Sequence, residues 1–159
     1  LAQSYPLTKI QTDEYVPWAR ELFLKGGRKI EAELVEEIVA RCENHPMYIQ
    51  EFFFNLWDAP TISIEDIDRL ESDILKKREA EFINIWESLT LNQRKALKLI
   101  ASTGGKNIYA ANNLSKLGFR SASQISKALE LLLKKELVSR NDLYSIQDVL
   151  FKRWIEKIS

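Results

Sequence analysis

Apolar residues recur along the chain at intervals of three and four, the period of helices with one buried face. Residues 1–11 read as extended, because Pro6 and Thr8 oppose helix there. Tyr15, Trp18, Ala19, Leu22 and Phe23 then predict a first helix, capped by Thr12 or Asp13 and stopped by Gly26-Gly27. Leu34, Val35, Ile38, Val39 and Cys42 predict a second over about 31–43, with Glu33, Glu36, Glu37 and Arg41 on its wet side. Pro46 sits where a third helix can begin, and that segment, to Trp57, is apolar nearly all round, which predicts cover on several sides. After an Ala59-Pro60-Thr61 linker, Ser63 and Asp66 have capping-box spacing and open a long helix to about Trp86. Ile67, Leu70, Ile74 and Leu75 mark its buried face, and Lys76 to Glu81 its solvated middle.

The second part of the chain is punctuated at every boundary. Thr90 and Gln93 form a capping box before Ala96, Leu97, Leu99 and Ile100, and Gly104-Gly105 ends that helix. Asn107 to Tyr109 predict a short strand, 110–116 a brief helix, and Gly118 a tight turn. Ser121 to Gln124 suggest another capping box, before a helix with Ile125, Ala128, Leu129, Leu132 and Leu133 inward. Residues 137–140, Asn141-Asp142 and 143–146 read as strand, tight turn, strand. A last helix, 149–158, carries Leu150, Phe151, Trp154 and Ile158. The order helix, strand, helix, turn, helix, hairpin, helix is that of a winged helix-turn-helix.

Charge divides the chain the same way. Residues 1–84 hold 10 Lys or Arg against 17 Asp or Glu, and residues 85–159 hold 13 against 6, although the whole chain balances at 23 and 23. An acidic module followed by a basic one is expected, and the basic one can face nucleic acid or an acidic partner. One Cys and one His exclude an intrachain disulfide and multi-Cys or multi-His metal ligation, and suit a reducing cytoplasm. No apolar run is long enough to span a membrane. The start has neither an initiator Met nor the features of a signal peptide, so the chain reads as a fragment of something longer.

No complete catalytic apparatus is legible. Gly104-Gly105-Lys106-Asn107 lacks the upstream Gly and following Ser or Thr of a phosphate-binding loop, no aliphatic strand ends in Asp-Glu, and Cys42 lies on an apolar face. The expected interface is the start of a recognition helix. Arg120, Ser121, Ser123, Gln124 and Lys127 are types that reach phosphates and base edges, with Arg140 on the hairpin and Lys106 and Lys116 nearby. The Ser and Gln residues also suit a cap, and the Asn141-Asp142 tip carries an acid, so protein binding stands beside double-stranded DNA as a reading.

Asn44-His45-Pro46-Met47-Tyr48-Ile49-Gln50, followed by Phe52 to Trp57, resembles the H-P-x-Y-x-Q stretch in the lid of archaeal-type P-loop ATPases of the broad AAA+/STAND group. Phe82, Trp86, Leu89-Thr90 and Gln93 resemble the segment leading into their C-terminal winged helix. Leu129, Leu132, Leu137-Val138, Tyr144, Ile146, Asp148, Leu150-Phe151 and Trp154 resemble its end. The resemblance implies a mainly α chain: a helical lid-like module over 1–63, a connecting helix over 64–86, and a winged helix-turn-helix with a small β-hairpin over 87–159. It implies that a P-loop domain lies upstream and is the partner of this piece. ATP and Mg would then be cofactors of the full-length ATPase and not of the fragment. The lid G-x-P that lies near adenine in such families matches Asn44, His45 and Pro46, with Asn in the place of Gly. A lid arginine that senses the terminal phosphate would be Arg20, Arg41 or Arg78. The winged helix would hold DNA or a regulatory protein. A stand-alone DNA-binding regulator and a protein-interaction adaptor remain open as alternatives.

Overall fold

A computed structural model describes residues 11–59 and 61–159, so the expectation of an extended start falls almost wholly outside the described residues, as does Pro60 of the linker. The described residues form eight helices and one two-stranded hairpin, mainly α with a small β element, and the chain divides into compact units Leu1–Lys76 and Lys77–Ser159.

In the N-terminal unit, α1 (Thr12–Lys25) packs on α2 (Ala32–Arg41), and α2 on α3 (Pro46–Leu56). The cap of α1 is Gln11 and makes no side-chain bond; Thr12 lies inside the helix and its hydroxyl accepts instead from Asn44 Nδ2 at 3.3 Å. Tyr15, Ala19, Phe23, Val35, Ile38, Val39, Cys42, Ile49 and Phe52 make the core, as the helical spacing predicts. Tyr48, Ile49, Phe52, Phe53 and Leu56 of α3 are buried, the cover on several sides that its apolar run predicts, while Phe54 is 81% exposed and Met47 is exposed with it. Trp18 and Leu22, expected on the buried stripe of α1, are exposed as well. Trp18, Leu22, Phe53, Phe54 and Trp57 line an open apolar hollow there.

Arg41, expected on a wet face, is mostly buried. Its guanidinium meets Glu37 at 2.6 Å, and Asp68 at 2.7 Å and Glu71 at 2.8 Å on α4 (Ile64–Glu87). Glu71 is buried on the face that Ile67, Ile74 and Leu75 share, where a carboxylate needs an opposite charge. Burial works to lower the Arg41 pKa, but the three carboxylates outweigh it and hold the group above its ordinary value. The start of α4 has the expected box: Ser63 N–H and hydroxyl donate to Asp66 Oδ2, each at 2.9 Å, and Asp66 N–H donates to Ser63 Oγ at 3.3 Å.

In the C-terminal unit, the end of α4 is followed by α5 (Leu91–Thr103), α6 (Ala111–Lys116), α7 (Ala122–Lys134), β1 (Val138–Arg140), β2 (Tyr144–Ile146) and α8 (Val149–Ile158). Thr90 and Gln93 cap α5 reciprocally, as the box requires. α5 packs against α7, α8 and β2. Phe82 is fully buried between Phe151 and Trp154, with ring centroids at 5.3 and 5.9 Å, and Trp86 meets Trp154 edge-on at 5.9 Å. Arg78, expected in the solvated middle of the long helix, lies 4.6 Å from the Phe82 ring centroid and 2.8 Å from Asp148. Asp148 Oδ1 accepts from the Leu150 and Phe151 N–H groups and so caps α8. Ile158, expected inward, is exposed in the last turn of α8.

Residues 107–109 are a turn and not the expected strand. Asn107 is left-handed, at φ 52°, which breaks the extended run a strand needs. Gly105, at φ 80°, presses on the Tyr144 carbonyl so closely that a Cβ there would overlap it. The hairpin is antiparallel, pairing Val138 with Ile146, Ser139 with Ser145 and Arg140 with Tyr144. Its connection is three residues, 141–143, rather than two, and Asn141 N–H donates to the Leu143 carbonyl at 3.2 Å.

Candidate nucleic-acid interface

The turn around Gly118, at φ 70°, delivers the chain to α7. The expected capping box does not form there. Ser121 is the N-cap, but its hydroxyl pairs with that of Ser123 at 2.8 Å rather than with a backbone N–H. Gln124 Oε1 accepts from the Arg120 N–H at 2.9 Å and braces the turn that carries Arg120. The first-turn N–H groups of α7 therefore lack a side-chain cap, which leaves the positive end of the helix dipole open to an anion. Arg120, Ser121, Ser123 and Lys127 are exposed, and Gln124 is half-buried by its bracing role. No carboxylate among the described residues forms an ion pair with Arg120 or Lys127, nor with Lys106 or Lys116, which are also exposed. Gln124 and Lys127 line a hollow of about 370 Å³ together with Thr90, Asn92 and Gln93 at the start of α5.

Arg140 lies elsewhere. It ends β1, exposed, with its guanidinium 5.1 Å from the Tyr144 ring centroid. It lines a second hollow, of about 410 Å³, with Tyr109, Asp142, Leu143 and Tyr144. Arg120 to Lys127 thus form one group on α7, and Arg140 belongs to another at the hairpin. Ser126 on α7 joins them by donating to the Tyr109 hydroxyl at 3.3 Å, and Tyr109 lines the second hollow beside Tyr144. Burial raises the Tyr144 pKa, Tyr109 adds to the rise, and Arg140 opposes it. Sequence reasoning missed Ser126, Tyr109 and Tyr144 as members of this surface. Tyr109 read as a strand residue, and only the fold brings it to α7 and β2 at once.

In the N-terminal unit, Glu43 and Asn44 are left-handed, at φ 49° and 60°, and make a tight turn between α2 and α3. His45 is the N-cap of α3 without a side-chain cap bond, and Pro46 occupies the first turn. The His45 ring lies 4.8 Å from that of Tyr48, and its Nδ1 is buried with no hydrogen-bond partner among the described residues. Of the arginines considered for phosphate sensing, Arg41 and Arg78 are engaged with carboxylates, whereas Arg20 is exposed and forms no ion pair among the described residues. No described helix is long and apolar enough to cross a membrane.

Residues 80–157 match the protein family described as "Probable winged helix domain". No curated protein and no solved structure matches the chain. The match begins in the last turns of α4 and runs to the last turn of α8, so it spans the Phe82 aromatic core, the capped α5, the exposed start of α7 and the hairpin. The C-terminal part of the chain is a winged helix, a fold that supports a DNA- or protein-binding role.

Proposed function

We propose that this chain is the C-terminal regulatory part of an AAA+/STAND-like ATPase, and that its winged helix grips double-stranded DNA through the start of α7. The observation that carries the DNA reading is that Arg120 and Lys127 stand exposed, without carboxylate partners among the described residues, around a helix N-terminus that no side chain caps. Unpaired cations at that position meet a phosphate backbone without first breaking an ion pair. Ser121 and Ser123 add neutral donors, and Lys106 and Lys116 extend the basic surface.

What supports the ATPase reading is the order of the lid-like and winged-helix motifs, together with the turn at Asn44-His45-Pro46. Asn is the non-glycine residue best suited to a left-handed φ, so it satisfies the backbone requirement of the Gly it replaces. His45 Nδ1 is a buried polar atom without a partner among the described residues, which suits a neighbouring purine edge. Those residues would lie beside adenine, Arg20 would be the arginine able to reach a phosphate, and the upstream P-loop domain would hold Mg and carry out the hydrolysis. This piece would relay nucleotide state to the winged helix from a reducing cytoplasm.

Fluorescence anisotropy with a random duplex, titrated across salt, tests the DNA reading. Affinity should fall steeply with salt. Arg120→Glu with Lys127→Glu should weaken it and flatten the slope by about 0.9 for each phosphate no longer neutralised. No binding at low salt would redirect the basic face to a protein partner. The ATPase reading requires a G-x-x-x-x-G-K-[ST] sequence encoded upstream of Leu1, and its absence there would end that reading.

A further inference from the structure

The surface offers cations on two separate elements, and each must be held at a fixed distance from the other if both are to meet one ligand. α7 carries Lys127, and β1 carries Arg140. The residue between them is Tyr109, in the turn before α6. Its ring is half-exposed and lines the hollow that Arg140 shares. Its hydroxyl accepts from Ser126, the neighbour of Lys127 in sequence, at 3.3 Å. The Tyr144 ring, directly across the hairpin from Arg140, lies 5.1 Å from that guanidinium. We propose that Tyr109 is a positioning residue: its ring lies beside the hairpin and its hydroxyl holds α7, so that Arg140 and Lys127 engage the same nucleic-acid backbone.

Three facts favour this role over a packing role. The Tyr109 ring is too exposed to serve as core, since its neighbour Ile108 is buried in that position instead. The turn that carries Tyr109 is itself fixed, because Asn113 Nδ2 donates to the Asn107 carbonyl at 2.9 Å and Gly105 presses on the backbone of Tyr144. Finally, the hairpin has only three paired residues on each strand; β1 packs on α7 and β2 on α5 and α8 and so hold its base, whereas Arg140 stands at its far end, where Tyr109 adds a second hold. A phenol that lies along the hairpin's hollow and bonds the Ser126 hydroxyl supplies the tie without adding charge to a surface built to meet phosphates.

The inference rests on the DNA reading for its consequence but not for its geometry, so the two can fail separately. Tyr109→Phe keeps the ring and removes the hydroxyl. With a random duplex, the variant should lose affinity about threefold to tenfold, the scale of one or two hydrogen bonds. It should also lower the salt slope as Arg140→Ala does, and it should cost nothing further when combined with Arg140→Ala. Full additivity with Arg140→Ala, or unchanged affinity and slope, would overturn the proposal. If the unaltered protein binds no duplex, the DNA reading fails and the tie is read directly from amide exchange. The Asn141 and Gln147 amides, which donate to the Leu143 and Leu137 carbonyls, should then exchange several-fold faster in Tyr109→Phe and in Ser126→Ala. Unchanged exchange there would remove the positioning role.

Discussion

Replacing Arg41 by Met should be one of the most damaging single changes in the N-terminal unit, and the structure says which partner is responsible. Three carboxylates meet the guanidinium, but they differ in exposure. Glu37 shares the helix and its side chain is 41% exposed, so an i,i+4 pair of that kind contributes about 0.3–0.5 kcal/mol. Asp68 is 59% exposed, and that pair is worth roughly 1 kcal/mol at most. Glu71 is only 3% exposed, and removing one partner of a buried pair costs about 3–5 kcal/mol. The Glu71 pair therefore dominates, and the whole loss should be about 3–5 kcal/mol. Urea unfolding followed by NMR at the α2 and α4 amides would measure it in the unit where it acts. The loss should persist in about 1 M salt, because screening acts on exposed pairs far more than on a buried one. Replacing Glu71 by Leu in the same chain should recover much of it, since two apolar side chains can fill the space of a buried pair. A cost below about 1 kcal/mol, or one that salt abolishes, would mean that all three pairs behave as surface pairs and that Glu71 does not dominate.

Other expectations test separate parts of the chain. Gly105→Ala should destabilise the C-terminal unit by about 2–4 kcal/mol, through a left-handed backbone and overlap with the Tyr144 carbonyl; a thermal melt within a degree or two of the parent would contradict that packing. The Ser63 N–H and hydroxyl hold the Asp66 carboxyl below its ordinary value of 3.8. A depressed carboxyl stabilises the start of α4 above that value and loses its effect as pH falls through the folded one. Titration of the Asp66 carboxyl by NMR should show the depression, and Ser63→Ala should reduce it.

Much of this fold could be read from the chain because its helices bury one face each. Spacing alone located Val35, Ile38 and Val39, and likewise Ile125, Ala128, Leu129 and Leu132, since a residue's face follows from the helical period. The capping boxes at Ser63 and Thr90 were legible for a related reason: donor and acceptor lie three residues apart, within one turn. The box expected at Ser121 had the same spacing but did not form, because Gln124 found the Arg120 N–H one position earlier. Local spacing permits a cap, and the turn entering the helix decides whether it forms.

The order of elements, the two charge blocks and the basic residues at the start of α7 are properties of neighbours within a few positions, so the chain alone sets them. Packing across the fold selects which distant polar groups meet. It took Arg41 from a wet face to the buried Glu71, left Phe54 in solvent on the most apolar helix, and turned Tyr109 from a supposed strand residue into a link between α7 and the hairpin. The two polar links join residues 17 and 30 positions apart, which no periodicity encodes. A buried carboxylate requires its cation wherever the chain can supply one, and only the packed fold fixes which cation that is.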